Sequence, residues 1–141
     1  MLRLSPQPKV TRPVVLNAPV RLDLDGGGAR DATLITLSSH SIMFDEVDAS
    51  LSTGAALTVR FQLCHGRLAI ATGQIIGSED GVLTIRFIHA NSITRQLAAD
   101  LLRLRPPLRE SFLAMVLKSP MRIDMMPLAR LSPSDTVSAQ L

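Results

Sequence analysis

The chain has 141 residues, long enough for one well-buried core, and 46% of them are hydrophobic, which is enough to fill it. Only 3% are aromatic, with no Trp and no Tyr, and this weighs against nucleic-acid modules that stack bases on exposed rings. The formal charge is +3, and Lys9 and Lys118 are the only lysines among 15 basic residues, so the cations are mainly guanidinium forks suited to phosphate and carboxylate.

The single Cys64 has no partner for an internal disulfide, and a reduced, cytoplasmic compartment is the expectation. The opening MLRLSPQPKV lacks the apolar run of a signal peptide. No window reaches the ~18 apolar residues of a membrane-crossing helix.

Residues 1–11 carry Pro6 and Pro8 and little periodicity, which reads as a flexible lead-in. Pro13 opens an apolar run, Val14 to Leu16. Ala18, Val20, Leu22 and Leu24 then alternate with Arg21 and Asp23 as a strand, with Pro19 at an edge or bulge. Asp25 and Gly26 to Gly28 make a turn; the run lacks the Gly-Lys-Ser/Thr ending of a P-loop. Next comes the most informative stretch, Asp31 to Asp45. Ala32, Leu34 and Leu37 interleave with Thr33 and Thr36 as a strand, Ser38 to Ser41 turn, and Ile42 to Phe44 form a second strand. This hairpin carries hydrogen-bonding groups at its tip, where a small anionic ligand would be sought.

Asp45, Glu46 and Asp48 make an acidic loop without the further ligands of a metal or acid–base site. Leu57, Val59, Phe61 and Leu63 alternate cleanly with polar residues. Leu68 to Ile76 and Val82 to Ile88 follow as strands. Cys64 and His65 are neighbours in sequence and so point apart, which argues against a thiol or metal centre. The period then changes. Ile93, Leu97, Leu101 and Leu104 predict a helix capped by Asn91 or Ser92 and stopped by Pro106 and Pro107. A second helix is expected over 108–117, with Leu108, Phe112, Met115 and Val116 as its stripe. The expected architecture is a six-stranded antiparallel β-barrel followed by one or two C-terminal helices. Its parts are a lead-in over 1–11, a barrel with its capping helix over 12–104, a second helix over 105–120, and a poorly ordered tail or docking segment over 121–141.

Three stretches carry a resemblance to the PilZ domain, the bacterial receptor module for cyclic di-GMP. Arg12 followed by PVVLNAPVRL resembles the opening strand after the family's RxxxR motif. TLSSHSIMF, Thr36 to Phe44, stands where the family has DxSxxG and the next apolar strand. IRFIHANSITRQLAADLL, Ile85 to Leu102, is similar to its closing strand and terminal helix. The resemblance spans about residues 9 to 104 and implies a six-stranded barrel whose arginines and DxSxxG turn hold the dinucleotide. Both motifs are altered. Arg12 keeps the second arginine, but the first falls on Pro8, which has no side-chain donor, with Lys9 beside it as a point charge. Thr36 replaces the acidic residue, Ser38 is kept, and Ser41 replaces the glycine. A charge-assisted hydrogen bond is worth ~1.5–3 kcal/mol. Two lost bonds remove roughly 3–6 kcal/mol, or about a hundredfold to ten-thousandfold in affinity.

The residual cyclic di-GMP site is therefore Lys9, Arg12, Thr36, Ser38 and Ser41, with no catalytic residue, metal or cofactor expected. The resemblance implies a signalling adaptor that controls motility or exopolysaccharide output through protein contacts. Its partner is expected to meet Phe112, Met115 and the 121–141 tail, or a second copy to form a homodimer. The alternative is a working receptor that binds the dinucleotide through Arg12 and Ser38, helped by Arg3 or His40. A Ser–His hydrolase around His40 lacks a positioned acid. An RNA-binding barrel is compatible with the charge, but the missing rings argue against it, and no DNA or RNA partner is expected.

Overall fold

In the computed structural model, residues 12–47 and 51–126 are described. The chain runs β1 Val14–Leu24, β2 Ala29–Leu37, β3 Ser41–Asp45, β4 Ala56–Gln62, β5 Leu68–Glu79, β6 Val82–Ala90, α1 Ser92–Arg103, α2 Pro106–Val116 and β7 Met121–Met125. The strands close into a barrel in the order β1-β2-β3-β6-β5-β4-β7. The expected mainly-β barrel with two C-terminal helices is present, with seven strands rather than six.

Alternation builds the core. Along β1, Val14, Leu16, Ala18, Val20 and Leu22 face inward while Val15, Asn17, Pro19 and Arg21 face out. On β2 the inward residues are Ala32 and Leu34, then Leu37, so the face changes parity. A bulge resolves this: the register with β3 shifts between Leu34 and Thr36. Pro19 sits in β1 opposite Thr33, and β7 pairs with β1 only at Leu22, Asp23 and Leu24. Pro19 thus lies in a part of β1 with no β7 partner on its other side among the described residues, the edge-like setting in which a strand tolerates proline.

β7 corrects the expected tail. Met121 and Ile123 are fully buried, and the strand joins β1 in parallel and β4 antiparallel. The barrel is thus completed from beyond both helices, and the expected boundary at residue 104 divides a single closed sheet. The rest of the expected tail, 127–141, lies outside the described residues, as does the 1–11 lead-in. α1 ends at Arg103, just before the proline pair, as expected, but the second helix starts earlier than expected. Pro106 and Pro107 open α2, where the first turn has no N–H to lose.

The inner face of α2 is Leu113 and Val116, while Leu108 and Met115 are exposed. The expected stripe of Leu108, Phe112, Met115 and Val116 is therefore rotated. Arg109 explains the rotation. Its Nε donates to the Leu101 and Leu104 carbonyls at 3.0 and 3.2 Å, and its Nη1 donates to the Val15 carbonyl at 3.1 Å. It satisfies the open C-terminus of α1 and pins α2 to β1 at once. At the other end of α1, Asn91 is the cap: its Oδ1 accepts from the Thr94 N–H, the Thr94 hydroxyl and the Ile70 N–H.

Candidate functional site

β2 ends at Leu37 and β3 begins at Ser41, so Ser38, Ser39 and His40 join them. Tight hairpin loops usually use positive φ. Here the non-glycine residues with positive φ are Asp25, Glu46, His65 and Asp80, so none of the three is left-handed. The Ser38 side chain supplies what the backbone lacks. Its N–H donates to the Ser41 carbonyl at 2.9 Å, and its Oγ accepts from the N–H groups of His40 and Ser41, both at 3.0 Å. The Ser41 hydroxyl lies 3.3 Å from the same oxygen. Ser38 is 1% exposed. Its hydroxyl holds the turn together and is not presented to solvent.

The other site residues fall into place around this bend. Val14 pairs with Leu37, so Arg12, two residues earlier, leaves the sheet beside Ser38. Arg12 is exposed, and among the described residues it makes no ion pair. Thr36 is half-buried in β2 between Val15 and Met43. Ser41 opens β3 opposite Arg86, with an ordinary backbone, so the side chain at the glycine position brings no strain. Arg12, Thr36, Ser38 and Ser41 are therefore neighbours at one end of the barrel. Lys9 lies outside the described residues.

A further group stands beside the bend that sequence alone did not mark. The His40 carbonyl accepts from the Phe87 N–H at 2.7 Å, tying the bend to β6. There β6 is irregular: Thr72 pairs with His89 and Gly73 with Phe87, so Ile88 is an extra residue. Ile88 and His89 are both exposed as a result. Gly73 permits this close pairing, because a Cβ there would lie 2.3 Å from the Arg86 carbonyl oxygen. A shallow recess of 170 Å3 opens between Ser39, His40, Phe87, Ile88, His89, Ala90 and Arg95. The signal that could have found it is the run Phe87, Ile88, His89, which breaks strand alternation.

Two larger recesses, of 470 and 690 Å3, lie elsewhere and involve neither Arg12 nor the bend. They share Asp31, Ala32 and Glu46, and their charges are partly paired: Arg21 sits 3.6 Å from Asp31, and Glu46 accepts from the Thr33 hydroxyl at 2.5 Å. Charge is also paired at the β4–β7 seam. Asp124 meets Arg60 at 2.6 Å and Arg122 at 3.2 Å. Partial burial works to raise the Asp124 carboxyl, but hydrogen bonds from Arg60 and Arg122 outweigh it and hold the group below the ordinary carboxylate range.

Of the expected partner surface, Met115 is exposed, while Phe112 is half-buried and packs against the core. Among the described residues no group of three or more His, Cys, Asp or Glu is arranged to hold a metal, and no helix is long and apolar enough to cross a membrane. No protein-family model, curated protein or solved structure matches the chain.

Proposed function

We propose that the chain is a PilZ-like signalling adaptor in which cyclic di-GMP binding is weakened or lost, and that it acts through protein contacts. The observation that carries this reading is the fate of the Ser38 hydroxyl. Arg12 precedes β1 at the end where Val14 pairs with Leu37, and the Ser38 hydroxyl that follows accepts two backbone N–H groups of its own turn. With Pro8 and Thr36 at two of the three altered motif positions, Arg12 is left as the main donor to a dinucleotide. One guanidinium fork on an open surface supports weak binding at most.

The same geometry favours binding over catalysis. Ser38 engages the backbone of His40, which leaves the hydroxyl committed to the turn, so the pair does not form a nucleophile and base. For the partner surface, Leu108, Phe112 and Met115 lie at helical spacing on α2, and Leu108 and Met115 are 52% and 67% exposed. A protein partner or a second copy would meet this outer face. The output is the control of motility or exopolysaccharide in a bacterial cytoplasm.

Titration calorimetry with cyclic di-GMP tests the reading. The adaptor gives no saturable heat at micromolar ligand. Micromolar binding that disappears in Arg12→Ala would establish the working receptor instead. Partner capture should compare the full chain with one cut after Met126, because a cut at residue 121 removes β7 and opens the barrel.

A further inference from the structure

We infer that the recess between His40, His89 and Arg95 binds the phosphate group of a small soluble phosphomonoester. The inference goes beyond the adaptor reading and needs neither Arg12 nor the Ser38 hydroxyl.

Three segments converge on the recess: the β2–β3 bend, the end of β6 and the first turn of α1. Each is held in place. The bend is fastened by the Phe87 N–H on the His40 carbonyl. His89 is carried outward by the bulge at Ile88, which Gly73 allows. Arg95 is fixed by its Nη1 on the Ala90 carbonyl at 2.6 Å, and a guanidinium held at one nitrogen keeps further N–H donors for a ligand. Bulges that re-aim side chains beside a concavity are a common way of building a site.

The lining chemistry selects an anion. Its lining residues with polar side chains are Ser39, His40, His89 and Arg95, and among the described residues no carboxylate lines it. The other charged group nearby on β6 is Arg86, exposed and opposite Ser41, and Arg12 stands at the start of β1; both are cationic. On β5 the residue opposite His89 is the uncharged Thr72. Among the described residues neither Arg86 nor Arg95 makes an ion pair.

Size selects the ligand class. At 170 Å3 the recess is smaller than the ~300 Å3 at which pockets begin to enclose a drug-sized molecule. It has room for a tetrahedral oxyanion displacing several waters of about 30 Å3 each. Ile88, 68% exposed at the rim, gives the organic part of an ester an apolar surface that free phosphate would not use.

Nuclear magnetic resonance of the imidazole signals, titrated with inorganic phosphate and with phenyl phosphate, tests this. Both ligands should move the His40 and His89 signals saturably, phenyl phosphate at lower concentration. His89→Gln should abolish the response in a protein whose spectrum stays folded, while Arg12→Ala should leave it unchanged. No saturable shift, a shift that survives the His40→Gln/His89→Gln pair, or loss of the shift in Arg12→Ala would overturn the inference. Equal affinity for the two ligands would overturn the preference for an ester over free phosphate.

Discussion

At the β4–β7 seam Asp124 meets two guanidiniums, whereas at the Ser38–Ser41 bend Arg12, His40, Arg86 and His89 face no carboxylate among the described residues. The seam's charges are matched within the fold and help close the barrel. Among the described residues the arginines near the bend, Arg12 and Arg86, make no ion pair, and the Ser38 hydroxyl serves the turn. The contrast teaches where to look for a ligand: at charge the fold leaves over, and not at a motif residue that the fold already uses.

The largest effect should come from the seam. Ile123→Ala removes a fully buried side chain from β7 and should cost about 3 kcal/mol, read as a lower urea midpoint with an unchanged slope. A much smaller loss would return β7 to the status of a tail and dissolve the contrast. At the bend, Ser38→Ala strands the His40 and Ser41 N–H groups in a buried turn and should cost about 1–2 kcal/mol. It should leave any residual cyclic di-GMP affinity almost unchanged; a large loss of affinity with little loss of stability would reverse the assignment.

Asp124→Asn should cost no more than about 1 kcal/mol, since the pair is partly exposed. Its pH dependence sharpens the contrast. The folded-state pKa of Asp124 is depressed, so its stabilisation is present above the unfolded carboxyl value, about 3.9, and is lost as pH falls through the lower folded value. Wild type and variant should therefore differ at neutral pH and converge in strong acid, as measured by urea unfolding at a series of pH values. Smallest of all, Arg12→Ala should change stability by less than about 0.5 kcal/mol, because the side chain is exposed and makes no ion pair among the described residues.

Much of the barrel was legible because alternation is local. Ala32, Leu34 and Leu37 marked β2 as a strand, while the bulge between Leu34 and Thr36 that brings both Leu34 and Leu37 inward was not expected. β7 was not legible: MRIDM is five residues long, lies among prolines, and gains its meaning from parallel pairing with β1, about a hundred residues earlier. The α2 stripe was misplaced because a polar residue, Arg109, sets which face turns inward. At the candidate site, the nearness of Arg12 to the bend could be read from strand order. That the Ser38 hydroxyl turns into its own loop depends on torsion angles that residue type does not reveal. The His40–His89–Arg95 recess draws on three segments, and no single stretch of sequence announces it.

The central claim is that a nucleotide clamp has been lost by substitution on a retained barrel. The most direct test is titration calorimetry of cyclic di-GMP against the native chain and against Pro8→Arg/Thr36→Asp, which restores the two altered donor and acceptor positions. The account predicts no saturable heat from the native chain and a gain of about a hundredfold or more in the restored one. Native binding as tight as that of the restored chain would contradict it.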